Sequence, residues 1–138
     1  MTAKEYLRQI AVLDAKISRR QTEIEELKTR ATHITTMFDE NKVQSSGGSD
    51  DRMADVVTRW IIMEEEVTRM TDQLVGLKHK VIGEIHKLED VRYIQILEMR
   101  YLDLCTFEQI AVTMHMDIRH IFRLHGYALQ EFTKRNMS

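Results

Sequence analysis

Proline is missing from all 138 positions of this chain. Proline removes a backbone donor and kinks or ends a helix, so its absence suits long uninterrupted helices. Glycine is scarce, five in all, and two of the five, Gly47 and Gly48, are neighbours. The lone cysteine, Cys105, excludes an internal disulfide and leaves no cysteine cluster for a metal. A structural thiol, half-buried in a short turn of a reduced cytoplasmic protein, is the expectation. No run of about 18 apolar residues occurs, so no membrane span and no membrane partner are expected. The opening Met1-Thr2-Ala3-Lys4-Glu5-Tyr6 is mixed in charge and does not read as a secretion signal.

What is present points to helix. Hydrophobic residues make up 43% and charged residues 30%, too apolar for a disordered chain and well suited to long solvated helices. Ala, Leu, Glu, Lys, Arg, Met and Gln dominate, all good helix formers. The formal net charge is −2, which argues weakly against nucleic acid, but the distribution is uneven. From Ile118 to Arg135 the cations Arg119, Arg123, Lys134 and Arg135 face only Glu131. The acidic part is the N-terminal two-thirds.

Two long segments carry a seven-residue apolar repeat. In the first, about Thr2 to Phe38, the a positions are Ala3, Ile10, Ile17, Ile24, Ala31 and Phe38, and the d positions are Tyr6, Leu13, Arg20, Leu27 and Ile34. Thr2 and Glu5 form a capping-box pattern at its start. In the second, about Arg52 to Glu89, the a positions are Met53, Trp60, Val67, Leu74, Val81 and Leu88, and the d positions are Val56, Met63, Met70, Leu77 and Glu84, with Val57, Ile61, Ile82 and Ile85 widening the stripe. A sustained heptad predicts a coiled-coil seam. The stretch between them, about 39–51, contains Gln44-Ser45-Ser46-Gly47-Gly48-Ser49 and reads as a flexible linker. The expected fold is all-α: an antiparallel helical hairpin over residues 1–90, followed by a small helix-turn-helix domain over 91–138. The wider stripe on the second helix predicts contact with more than one neighbour, either the C-terminal module or a second copy.

After Asp90 the heptad stops and short apolar clusters follow. Three helices are predicted. The first runs about Val91 to Leu102. The second, Phe107 to Met114, is capped by Thr106 with Gln109 at the capping-box position. The third, Ile118 to about Thr133, follows Asp117 as N-cap. In a helix-turn-helix the first helix of the pair braces a second that enters the major groove. Ala111 is the small residue where the two meet. Phe107, Ile110 and Met114 face inward from one, and Ile121, Leu124, Ala128 and Leu129 from the other. The opposite face then presents Ile118, Arg119, Phe122 and Arg123, with His120 alongside, where base edges are read. The arginine fork matches guanine O6 and N7, and Phe122 suits a thymine methyl or a neighbouring helix. Lys134 and Arg135 are expected on phosphates, and Thr106 at the DNA-facing helix start.

These residues carry a resemblance. The run Ile96-Leu97-Glu98-Met99-Arg100-Tyr101-Leu102, then Thr106-Phe107-Glu108-Gln109-Ile110-Ala111, then Ile118 to His125 with the Ala128-Leu129 pair, resembles region 4 of the sigma-70 family, about 45 residues that bind the promoter −35 element. Nearly the full chain resembles the ArpU- and RinA-like late-gene transcription regulators of phages and prophages of Gram-positive bacteria. The resemblance implies a transcription regulator acting on double-stranded DNA. Sigma-like turns usually place glycine in the connection, whereas His115 and Met116 stand here. Histidine tolerates φ > 0 less well than glycine, so a turn different in detail is expected.

Other chemistry is thin. His79 and His86 are about two helical turns apart, too far to share an ion, and His115, His120 and His125 lack a matching carboxylate or thiol set. Glu64-Glu65-Glu66 reads as solvated surface. No nucleophile triad and no glycine-rich phosphate loop is recognisable. The expectation is a non-enzyme with no cofactor or metal, which binds double-stranded DNA and associates as a homo-dimer or higher homo-oligomer through the hairpin. RNA polymerase is a second expected partner. The alternatives are a coiled-coil protein-interaction module and a small-terminase-like packaging protein.

Overall fold

The computed structural model describes residues 1–40 and 48–137. Among these residues all regular structure is helical, as the pattern predicts. The elements are α1 (Ala3–Glu40), α2 (Gly48–Ile85), α3 (Val91–Leu97), a π-helical turn (Glu98–Leu102), α4 (Phe107–Met114) and α5 (Ile118–Asn136). The centre of the predicted linker and the side chain of Phe38 lie outside the described residues.

Three boundaries differ from the sequence reading. Helix α2 begins at Gly48 rather than Arg52. It ends at Ile85 rather than Glu89. There the ladder tightens, with Lys87 and Leu88 N–H donating to the carbonyls of Glu84 and Ile85. Asp90 then caps α3, its side chain accepting from Arg92 N–H. The helix predicted to reach Leu102 is regular only to Leu97 and widens into the π-helical turn. Asp103 N–H donates to Glu98 C=O at 3.0 Å, and Leu104, at φ 57°, turns the chain so that Cys105 N–H reaches Met99 C=O at 2.9 Å.

The chain divides into two compact units, Ala15–Asp72 and a second made of Met1–Asp14 with Gln73–Ser138. The compact body that holds the C-terminal helices therefore also takes in the first turns of α1 and the end of α2. The boundary drawn from sequence at Asp90 falls within it.

The unit Ala15–Asp72 is a pair of antiparallel helical stretches. Arg20 meets Glu66 at 3.5 Å, and Lys28, two turns further along α1, meets Glu64 at 3.6 Å and lies over the Trp60 ring. The seam contains Ile24, Leu27 and Met63, with Val56, Trp60 and Val67 partly buried beside them. The acidic triple is accordingly not all free surface: Glu64 and Glu66 hold these cross-helix ion pairs, while Glu65 is exposed.

In the other unit a cluster of Ile96, Ile110, Ile121 and Leu124 ties α3, α4 and α5 together, with Tyr93, Cys105, Phe107, Ala111 and Met114 packed on it. The opening Thr2–Glu5 capping box forms, both hydrogen bonds present. Tyr6 donates its hydroxyl to the Glu84 carboxylate and sets its ring against Phe132. Asn136 donates to the Glu84 carbonyl at 3.1 Å, and Arg135 pairs with Glu89 at 3.2 Å. The C-terminal turn of α5 is thereby fastened to the end of α2 and the segment after it.

Candidate nucleic-acid interface

The candidate site is built on α4 and α5. Thr106 caps α4 in a complete capping box: its hydroxyl accepts from Gln109 N–H at 3.1 Å, and Gln109 accepts from Thr106 N–H at 2.8 Å. The Thr106 hydroxyl oxygen is thus committed to its own helix. At the other end His115 adopts φ 55°, ψ 45°, in the left-handed region where glycine is favoured. Met116 N–H then donates back to Ala111 C=O at 3.0 Å, which closes α4 and aims the chain at α5. The connection expected to be glycine-like is so in conformation, with histidine in the strained position.

Asp117 stands at the N-cap of α5 as predicted, but its side chain makes no capping hydrogen bond. Its carbonyl accepts from His120 and Ile121 N–H instead. The buried stripe of α5 is Ile121, Leu124, His125, Ala128 and Phe132, while Leu129 is only half-buried. On the other face Arg119, Phe122 and Arg123 are exposed, and Ile118 and His120 are half-buried. Neither Arg119 nor Arg123 makes an ion pair or side-chain hydrogen bond among the described residues. Phe122 does two things. Its ring lies on Phe107 with centroids 4.8 Å apart, yet it remains 49% exposed. At the far end Lys134 and Arg135 are exposed, and Arg135 is held by Glu89 and Glu131.

Behind this face lies a buried polar pair that the sequence reading missed. The Tyr101 hydroxyl and His125 Nε2 share a 2.7 Å hydrogen bond, and their rings stack. Burial, reinforced by the nearby Arg100 and Lys4 charges, pushes His125 down to about 4, so it is neutral at physiological pH. Its place was readable: 121, 125, 128 and 132 are one helical stripe, and a histidine on that stripe is a core residue with one partner. Among the described residues no group of three or more His, Cys, Asp or Glu is arranged to hold a metal ion. No described helix is long and apolar enough to cross a membrane.

A family model described as a protein of unknown function (DUF1492) matches residues 34–133. The chain belongs to the DUF1492 family. Comparison with curated proteins and with solved structures gave no match. The DUF1492 region takes in all of α2, α3 and α4 and reaches Thr133 in α5. Of the residues singled out for DNA contact, Thr106, Ile118, Arg119, His120, Phe122 and Arg123 fall inside the DUF1492 match, and Lys134 and Arg135 follow it.

Proposed function

We propose that the chain is a sequence-specific DNA-binding transcription regulator of phage or prophage genes, which reads the major groove with the first turns of α5. The observation that carries this reading is the pair Arg119 and Arg123. Both guanidinium groups are exposed and uncompensated, one turn apart, at the start of a helix whose other face is buried. Unpaired arginines in that position have their full donor set available for guanine edges. Phe122 lies beside them on the helix, its ring against Phe107 yet half exposed, which suits an apolar contact to a thymine methyl. The likeness of the α4–α5 segment to sigma-70 region 4, and of the whole chain to ArpU- and RinA-like regulators, supports the same reading.

Selection of bound duplexes from a random pool at physiological salt is the test. Wild-type protein is expected to enrich a discrete motif, and the Arg119→Ala/Arg123→Ala double variant to enrich none. Arg123→Ala alone is expected to lose roughly 1–3 kcal/mol of discrimination at one or two base pairs. Arg135→Ala is expected to change affinity less, because its guanidinium already serves Glu89 and Glu131. A wild-type pool with no enrichment sinks the proposal.

A second reading concerns the long helices. Ile61 and Ile62 in one unit, and Val75 and Ile82 in the other, are large apolar side chains left at least two-fifths exposed on α2. Exposed apolar surface of this kind favours association with a second copy or with a protein such as RNA polymerase. Mass measurement in solution, with and without Ile61→Lys, tests the self-association arm.

A further inference from the structure

Lys4 and Arg8, one turn apart on α1, open with Arg100 of the π-helical turn onto one cleft of about 260 Å³. Its walls are Ala11, Tyr101, Leu104 and Phe107, and among the described residues no carboxylate lines it. None of the three cations is in an ion pair among the described residues. Arg100 is held in place without being neutralised. One of its terminal nitrogens donates to Cys105 C=O at 3.0 Å, and its plane lies over the Phe107 ring at 4.2 Å. Most of its five N–H donors are left over. Of the wall residues, Leu104 is a bulky side chain on backbone in the left-handed region, a conformation that costs free energy and clusters at binding sites. The three cations converge electrically as well: burial first, then Arg100 and Lys4, oppose protonation of His125, and Arg100 and Arg8 act against the burial that pushes the Tyr101 hydroxyl up.

The position of the cleft says what it would bind. Phe107 is shared: its ring centroid is 4.2 Å from the Arg100 guanidinium carbon and 4.8 Å from the ring centroid of Phe122 on α5. The Arg100 guanidinium and the Phe122 ring are therefore closer together than the roughly 12 Å width of a major groove. An anion held by Lys4, Arg8 and Arg100 would lie where the strand bordering that groove passes. Phe107 also opens α4, so the positive end of that helix adjoins the cleft.

We propose that the cleft formed by Lys4, Arg8 and Arg100 is a phosphodiester-binding site that grips the DNA strand flanking the groove entered by α5. The inference rests on the DNA-binding reading and extends the interface to the first two turns of α1, a segment with no place in a helix-turn-helix contact. Such contacts fix register and add affinity without reading sequence.

The experiment is a salt titration of DNA affinity with the full chain, on the duplex selected by wild type and on a scrambled duplex. The Lys4→Gln/Arg8→Gln variant is expected to lower the slope of log affinity against log salt by nearly 2, about 0.9 per phosphate contact. Its affinity should fall roughly 10- to 50-fold at physiological salt on both duplexes alike. Both side chains are exposed, so the urea midpoint should not move, and the Arg119→Ala/Arg123→Ala variant serves as the contrast, losing preference for the selected duplex. If Lys4→Gln/Arg8→Gln keeps the wild-type slope and affinity while the double alanine variant loses preference, the cleft assignment is overturned and the DNA reading stands. If wild type binds neither duplex, the DNA reading fails first. If inorganic phosphate shifts the Arg100 side-chain resonance of wild type while the glutamine variant binds DNA normally, the cleft holds a free anion and the strand assignment is wrong.

Discussion

Ile10 and Ile24 occupy the same heptad position on the same helix, yet they live in different surroundings. Ile10, in the unit that holds the C-terminal helices, is 0% exposed, whereas Ile24, in the unit Ala15–Asp72, is 5% exposed and Ile17 is 7% exposed. The difference extends beyond these residues. Among the described residues every large side chain that is completely enclosed, Leu7, Val81, Ile85, Ile96, Ile110, Ile121 and Phe132 included, belongs to the first of these units. Two helices packed only on each other bury a stripe and leave its margins wet. Several short helices at different angles close around a core. The same sequence pattern thus yields different burial according to how many neighbours an element finds, which no heptad reveals.

The sharpest test replaces both isoleucines by alanine and compares urea unfolding of the full chain. Loss of a buried Ile side chain costs roughly 2–5 kcal/mol, with the cavity left behind setting the place in that range. Ile10→Ala should lie near the top and Ile24→Ala near the bottom, where water reaches the vacated volume. Equal losses would mean that the two units are equally tightly packed and would break the comparison.

Acid should separate the units next. His125 is enclosed with Tyr101 and held at about 4, against about 6.5 in an unfolded chain. Between these values the unfolded state binds a proton that the folded state refuses, so stability is complete above pH 6.5 and falls as pH drops towards 4. The loss attributable to this residue is up to about 3 kcal/mol. His125→Gln should flatten that part of the stability profile. Hydrogen exchange followed from pH 7 to pH 5 should then show protection falling in α3–α5 before the Ala15–Asp72 helices. A profile unchanged by His125→Gln would refute the assignment.

A smaller effect concerns the turn before α5. His115 holds φ 55°, a conformation that is disfavoured for any residue with a Cβ. His115→Gly should relieve that strain and raise stability by up to about 1 kcal/mol, partly offset by the extra freedom of glycine when unfolded. It should leave DNA preference intact, because Arg119 and Arg123 keep their helix. A destabilised glycine variant would show that the histidine side chain contributes more than its backbone costs.

These cases also show what the sequence made legible. Helix class, the Thr2 and Thr106 caps, the inward set Ile110, Ile121, Leu124 and Ala128, and the outward pair Arg119 and Arg123 all follow from local rules with a period of 3.6 residues, and the structure places them so. The missed features depend on residues far apart in the chain. The π-helical widening after Leu97, the Tyr101–His125 pair across 24 positions, and the meeting of Lys4 and Arg8 with Arg100 need the tertiary arrangement. Leu7 was missed for a related reason. It lies outside the a and d positions, and it is buried because the unit containing it supplies a further neighbour.

The weakest expected effect lies in the ion pairs of the Ala15–Asp72 helices. Arg20 reaches Glu23 on its own helix at 3.0 Å and Glu66 on the facing stretch at 3.5 Å, and it interrupts an otherwise apolar d series. All three groups are about a third or more exposed, so water and salt screen them, and such pairs contribute roughly 0–1 kcal/mol. Arg20→Ala should cost no more than about 0.5 kcal/mol at low salt and less at 1 M salt, where the Debye length is near 3 Å. Arg20→Leu should do the reverse, because it completes the apolar seam and gains some burial at a position that the partner stretch already faces. If Arg20→Leu destabilises the chain, the ion pairs hold register between the two stretches, and the two-helix unit would be specified by charge where the other unit is specified by packing.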